Sequence, residues 1–374
     1  MTPRPTFETD DTDFKVDLRR RIDGYFSRTG KSRHADARMI LKTGVFLGAG
    51  VGLMALLISG VLPALAALPV VMVLGLVVAG LGFNIGHDAV HGAYSSNRFV
   101  NRALGFIFDV LGASSYNWSR AHNIVHHTYT NVPGADHDLE PGPFLLLHQR
   151  PNPPWIYRLQ HLFAFPRYAF TMIVWVFKKD FVQIFDRSMT GRGATKRGAL
   201  SMVLGKLFHF GLFLALPLLM SPYAWWQVLV GYLAMLASVG FTLAVVFQLA
   251  HVVEGTQVPV ANGERRLPEG WATHQLRTSA NFSQGSAVAG FLMGGLNQQI
   301  EHHLLPGICH IHYPALAPLV RACAKEHGLP YLNSGTFFEA VASHARTLYR
   351  LGRPARELAP ARTGLLQPRF ACEP

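Results

Sequence analysis

The chain has 374 residues and eighteen histidines, and eight of these fall into short groups at helical spacing. His87 and His91 sit in HDAVH, and His122, His126 and His127 sit in HNIVHH. His251 closes FQLAH, and His302 and His303 sit in QIEHH. Side chains four apart on an α-helix project about 40° from one another, and those three apart about 60°. His87 and His91 therefore share a face, as do His122 and His126, and Gln299 shares one with His302 and His303. Neutral imidazole binds iron, copper, zinc and nickel, so the residue type leaves the metal open. One first-row ion takes about four to six ligands, so eight imidazoles suit two ions. The other histidines read differently. His34, His148, His161, His274, His327 and His344 are expected at the surface or in packing, and His209 in packing inside an apolar run. His137, His310 and His312 follow the boxes closely and are candidates to touch the ligating rings.

The elements that must carry these groups are apolar. Of all residues, 49% are hydrophobic and only 15% charged. Mean hydropathy is +0.20. A soluble domain carries about a quarter charged residues. Hydropathy gives four long runs, at residues 42–59, 61–83, 200–220 and 225–249. Each is near the roughly 20 residues needed to cross a bilayer as a helix. The runs pair through two short turns, SGVLP and SPYAW. Neither Lys nor Arg occurs between Lys42 and Arg98, or between Lys206 and Arg265. The positive-inside pattern then places both tails and residues 84–198 in the cytoplasm. All four histidine groups fall on that same side, although Lys and Arg alone set the orientation.

Weaker apolar stretches at 99–115 and 159–177 are too short or too interrupted to span, and are expected as interfacial or re-entrant helices; a third, at 288–296, is shorter still. Residues 14–28 place Phe14, Leu18, Ile22, Tyr25 and Phe26 on one face opposite several arginines. That pattern suits a helix lying in the membrane interface; a packing helix is the alternative. The expected organisation is a cytosolic tail with this helix at 1–38, a membrane domain at 39–352, and a flexible end at 353–374. The net charge of +12 reads as an inside-positive membrane protein, with room to dock an acidic redox partner or anionic headgroups, and not as nucleic-acid binding. Three cysteines give no disulfide framework and no CxxC metal site. The first residues lack an early apolar run, so no cleavable signal is expected.

The boxes HDxxH, HxxxHH and QxxHH occur in order at 87–91, 122–127 and 299–303, and they resemble those of the membrane fatty acid desaturases. The likeness extends through NWSRAHNIVHHTYTN, GADHDLE and GGLNQQIEHHLLPGICHIHYP, over roughly residues 80–325. It implies an all-α integral membrane protein, with four transmembrane helices in two hairpins and a cytosolic helical cap holding two irons. His87, His91, His122, His126, His127, His302 and His303 would be iron ligands, and His251 matches the further ligand after the fourth span. Gln299 stands where the stearoyl-type branch has a histidine. This resembles the front-end and acyl-lipid branches, and it leaves one iron a ligand short, with water and Gln299 as the candidates to fill the gap. An HPGG haem motif is absent, so electrons are expected from a separate donor of ferredoxin, rubredoxin or cytochrome b5 type.

The implied reaction takes a fatty acyl lipid or acyl-CoA, O2 and two electrons to an alkene and two waters. Taking hydrogen from an unactivated C–H bond needs a strong oxidant, which redox metal with O2 supplies. An apolar tunnel is expected between the spans. Asp88, Asn123, Asp136, Asp138, Asn297, Gln299 and Glu301 are candidates to orient the imidazoles through their other nitrogen. Trp118 is expected against the centre, and Glu254 in a structural role. The rival readings are a histidine-rich membrane hydroxylase or ketolase acting on a lipid or carotenoid, and a metal transporter. The transporter would need ionisable groups at mid-span, and these spans hold almost none. The Arg-, Ala- and Gly-rich composition suggests a bacterial inner membrane.

Overall fold

The computed structural model describes residues 4–136, 138, 144–187 and 193–354. Four of its helices are long and apolar enough to cross a membrane: Ala37–Ile58, Ala64–Val90, Lys196–Met220 and Trp225–His251. The first begins earlier than hydropathy suggested. Asp36 caps it by accepting from the amides of Arg38 and Met39. This draws Lys42 into the helix, where its ammonium donates to the Gly290 carbonyl at 3.1 Å.

The second span runs past Phe83 without a break. It loosens into a π-turn at Gly82–Gly86 and then resumes through His87–Val90. Asn84 holds this turn by donating to the carbonyls of Gly80 at 2.7 Å and Leu292 at 3.3 Å. Gly294, at φ +60°, lies so close to the Phe83 carbonyl that a Cβ would stand 2.2 Å from its oxygen. Box one is therefore a rigid extension of a span rather than a loop.

The second and fourth spans pack tightly. Gly75 brings the backbones together at Met235, and the Ser238 hydroxyl donates to the Met72 carbonyl at 2.8 Å. Small residues permit such approach where lipid supplies no hydrophobic drive between helices. Leu74, Val78, Leu236 and Val239 fill the seam. The Tyr223 hydroxyl donates to the Leu62 carbonyl at 2.8 Å. The two short turns thus meet at one end, and the histidine-bearing ends of the second and fourth spans lie at the other.

The remaining helices gather around that second end. Residues 159–177 form Gln160–Tyr168 and Thr171–Val174, with a break between them, so neither crosses a bilayer. They rest on the fourth span at Gly240, where a Cβ would meet the Met172 amide nitrogen at 2.6 Å. The stretch at 99–115 is likewise divided, into Arg98–Gly105 and Ile107–Leu111. A buried ion pair ties the third span to the strand of chain entering box two. Lys206 lies 2.7 Å from Asp180 and also donates to the Gly112 carbonyl. Asp180 in turn accepts from the Ser114 amide at 2.9 Å.

The N-terminal helix corrects the interfacial reading. Thr12–Thr29 buries Phe14, Leu18, Ile22 and Phe26, and they pack on Leu316, Val320 and Cys323 of Tyr313–Glu326. The apolar stripe that suited a lipid surface is covered by protein, and Arg21 clamps the pair from outside through Asp17 and Glu326. Ahead of the helix, Thr6–Phe7 pairs in parallel with Arg266–Leu267. Asp11 accepts from the Ala272 and Thr273 amides at 2.7 and 3.2 Å, capping Trp271–Thr278. Residues 4–38 are thus built into the body instead of trailing from it. At the other end Phe337–Leu351 is a capped helix, and the expected flexible end lies outside the described residues from 355 onward.

This packing has a measurable consequence. Leu18→Ala should lower stability by about 2–5 kcal/mol, as for other buried leucines. Val16→Ala on the exposed face should change it by less than about 0.5 kcal/mol. Thermal unfolding of the two variants in detergent decides; equal shifts would put the helix back on the membrane surface.

Candidate metal centre

Box two owes its geometry to a second π-segment. Ser114 caps the start of Ser115–Trp118, Ser119–His126 follows as π-helix, and His127–Tyr129 returns to α. A π-turn bonds i to i+5 and so brings residues five apart onto one face. His122 and His127 meet there, with their Nε2 atoms 3.3 Å apart. His126 stacks beside His122 at 4.9 Å. Regular α-spacing pairs His122 with His126 but does not by itself bring in His127.

The eight rings converge from four stretches of chain. One group joins His87, His91, His122 and His302, with a nitrogen from each lying within 4.8 Å of the others. A second joins His126, His251 and His303 in the same way. His127 groups with both His302 and His303. It therefore stands between the two clusters. The His87–His302 and His127–His303 ring centroids are each 4.4 Å apart.

The unpaired atoms point to a ligand. Nε2 of His87, His91, His126, His302 and His303, and Nδ1 of His127, are buried with no hydrogen-bond partner. Leaving one such atom unsatisfied costs about 1–3 kcal/mol. Six in one place fit a Lewis acid that takes their lone pairs. The donor set is nitrogen-only and neutral, which suits a divalent transition ion.

Protein groups hold the rings from behind. His126 Nδ1 donates to Asp136 at 2.9 Å and His122 Nδ1 to Asp138 at 3.2 Å. His303 Nδ1 donates to the Gln275 amide oxygen at 2.7 Å, which Thr130 also bonds at 2.9 Å. His251 Nδ1 donates to the Thr278 carbonyl at 3.1 Å. Each contact leaves Nε2 facing inward. Burial pushes His91, His122, His127, His302 and His303 well below the usual imidazole range, assisted by their mutual repulsion. They are neutral at pH 7, the form a metal requires. Burial also draws His126 down, but Asp136 outweighs it and the net shift is upward.

Aromatic groups wall the centre. Trp118 stacks on His122 at 4.1 Å, and Phe108 stacks on Trp118 at 4.3 Å. Phe247 lies 5.1 Å from His126 and 5.0 Å from His251.

Several expected orienting residues lie elsewhere. Asp88 turns away from the rings to accept from the His310 backbone and Nδ1, at 3.2 and 2.8 Å. His310 Nε2 meets Lys42 at 3.0 Å, so this histidine belongs to a neighbouring network. Asn123 donates to the Val90 carbonyl at 2.9 Å and braces box one through its backbone. Asn297 bonds the Phe282 and Ser283 carbonyls. Glu301 binds Asn281 and Tyr331, and burial raises its carboxyl to about 7 against those two bonds. All four side chains are drawn to nearer donors or acceptors than the imidazoles. Gln299 does reach the centre: its amide nitrogen donates to His251 Nε2 at 2.9 Å, and its amide oxygen is buried without a partner.

Gln275, Thr130, Thr278 and Tyr313 were not foreseen; Tyr313 stands 3.5 Å from His302 Nδ1. Gln275 lies in WATHQLRT, where no spacing signal marks it. The packing and structural roles expected for two others hold: His209 bonds the Val110 carbonyl and the Tyr232 hydroxyl, and Glu254 pairs with Arg346 and Arg350. His312, expected against the ligating rings, bonds the His34 carbonyl instead. His137 lies outside the described residues.

The comparisons with known proteins agree with this geometry. The fatty acid desaturase family model matches residues 62–335. The chain is 33% identical over 345 residues to an sn-1 linoleoyl-lipid 6-desaturase of Synechocystis sp., covering 91% of this chain and 96% of that one. An sn-1 linoleoyl-lipid 6-desaturase of Arthrospira platensis is 31% identical, covering 90% and 92%. An acyl-lipid (8-3)-desaturase of Physcomitrium patens is 31% identical, covering 92% and 73%. The chain belongs to the fatty acid desaturase family. It is a membrane protein and an oxidoreductase.

The brace on His303 separates the two kinds of neighbour. Gln275→Leu should weaken metal binding by about 10–100-fold, the usual effect of losing a group that orients a ligand. Glu301→Gln, next to two box-three histidines but bonded away from them, should stay within about twofold. Competition titration with a metal indicator reads both; equal losses would contradict the assignment.

Proposed function

We propose that this chain is an O2-dependent acyl-lipid desaturase working at a histidine-bound two-iron centre. The reading is carried by the convergence of buried imidazole nitrogens that lack hydrogen-bond partners. His87, His91, His122 and His302 would hold one iron, and His126, His251 and His303 the other. His127 stands between them, and the Gln299 amide oxygen, buried without a partner beside His251, would be available as a further ligand. Such irons, with O2, supply an oxidant able to act on an unactivated alkyl C–H bond. The overall change is acyl chain, O2, two electrons and two protons to alkene and two waters.

The protein's own part is to orient and to exclude. Asp136, Asp138, Gln275 and the Thr278 carbonyl fix the tautomers of His126, His122, His303 and His251, so that the Nε2 of each would offer its lone pair. The Trp118–Phe108 stack and Phe247 keep water from the histidines and present an apolar wall to an alkyl chain. Small errors in that placement are expensive for a reaction that must select one pair of carbons.

The charge pattern supports two transmembrane hairpins, with the histidine end and its helical cap on the cytoplasmic face. In a bacterium that would be the inner membrane. The acyl-lipid names of the relatives support a lipid-linked substrate over acyl-CoA. Electrons would come from a separate donor of ferredoxin, rubredoxin or cytochrome b5 type.

Expression in a host with a simple fatty acid profile and a competent donor tests this reading. New double bonds should appear in the membrane lipids with the wild-type chain and vanish with His126→Ala, as read by mass spectrometry. Identical lipids from both would refute it, and hydroxylated chains would transfer the enzyme to another reaction class.

A further inference from the structure

The third span carries its own π-segment, Gly211–Ala215, toward the end with the two turns. Its cause is local. Pro217 has no amide hydrogen to give the Phe213 carbonyl, and the Leu216 amide reaches back to Gly211 instead. Beside this distortion a cavity of about 390 Å³ opens among all four spans. Its inner wall is Leu57, Leu74, Phe213, Val228, Tyr232 and Met235, all buried. At its side Leu65, Trp226 and Val230 are exposed, at 85%, 53% and 50%, so it opens laterally toward the hydrocarbon. Ser221, Tyr223 and Gln227 complete the rim at the turn end.

We propose that this cavity binds one acyl chain of a bilayer phospholipid from the leaflet on the turn side. The lining carries no charged side chain, and the volume falls within the 300–1,000 Å³ common for small-ligand pockets. An apolar void of this kind stays dry, and its walls gain dispersion contacts only from an apolar occupant. A tryptophan, a tyrosine and a glutamine at the mouth match the amphipathic belt where lipid chains meet headgroups.

The floor argues against the substrate as occupant. His209 donates through Nδ1 to the Val110 carbonyl at 2.8 Å and accepts at Nε2 from the Tyr232 hydroxyl at 2.7 Å. Tyr232 and Phe213 line the cavity, whose lining includes none of the eight histidines and none of the aromatic residues that wall them. A chain held within that lining touches none of the eight rings, whereas a substrate must lay its reacting carbons against them.

Gly231 offers a way to fill the site. It lies in regular helix, and a Cβ there would meet only Val71, at 3.7 Å. Gly231→Leu therefore grows into the cavity without backbone strain. Wild-type protein in nanodiscs of phosphatidylethanolamine bearing a mid-chain diazirine should crosslink to residues 64–74 and 226–235. Native mass spectrometry from mild detergent should retain one phospholipid per chain. Gly231→Leu should lose both signals by about tenfold, with melting temperature and product chain length unchanged. Wild-type protein that retains no phospholipid would overturn the proposal without any variant. So would equal labelling of a folded Gly231→Leu. Loss of labelling together with a shift in product chain length would assign the cavity to the substrate tail and equally overturn it.

Discussion

Eight converging imidazoles, six of which carry a buried ring nitrogen with no hydrogen-bond partner, are the constraint the rest of this molecule serves. A protein interior pairs nearly all of its buried polar atoms. Here six ring nitrogens lack a partner in one small volume. Such a concentration persists only if the surrounding packing over-determines it and a metal takes the lone pairs. Spans, π-turns and buried polar networks can each be read as parts of that scaffold.

The spans supply rigidity. Box one is the end of the second span and His251 the end of the fourth, and the seam at Gly75 and Ser238 fixes their spacing. Two π-segments then re-aim the side chains that a regular helix would turn away. Box two is held against this frame by the Lys206–Asp180 pair and by Asn123. Box three is held by the N-terminal helix and the Tyr313–Glu326 helix that packs on it. The same device, a π-segment, recurs in the third span beside the cavity among the four spans.

The histidines themselves were legible because helical spacing, membrane depth and charge bias are local properties. Four spans followed from hydropathy within a few residues, and the exceptions have causes: a cap at Asp36 and a π-turn that carries the second span through Val90. Asp136 and Asp138 were recoverable from their nearness in sequence to box two. Gln275 and Thr278 were not, since they act across a long sequence separation and carry no charge to mark them. Asp88 and Glu301 misled for the opposite reason. They neighbour ligands along the chain, but alternating directions on a helix turn them toward His310 and Tyr331. The N-terminal helix misled because an amphipathic stripe does not say whether lipid or protein covers it.

The centre is most directly tested by the metal itself. Protein purified after anaerobic loading with ferrous iron should hold two irons per chain, and X-ray absorption should show a first shell dominated by imidazole nitrogen. A single ion per chain, or a shell dominated by sulfur or carboxylate oxygen, would contradict the account.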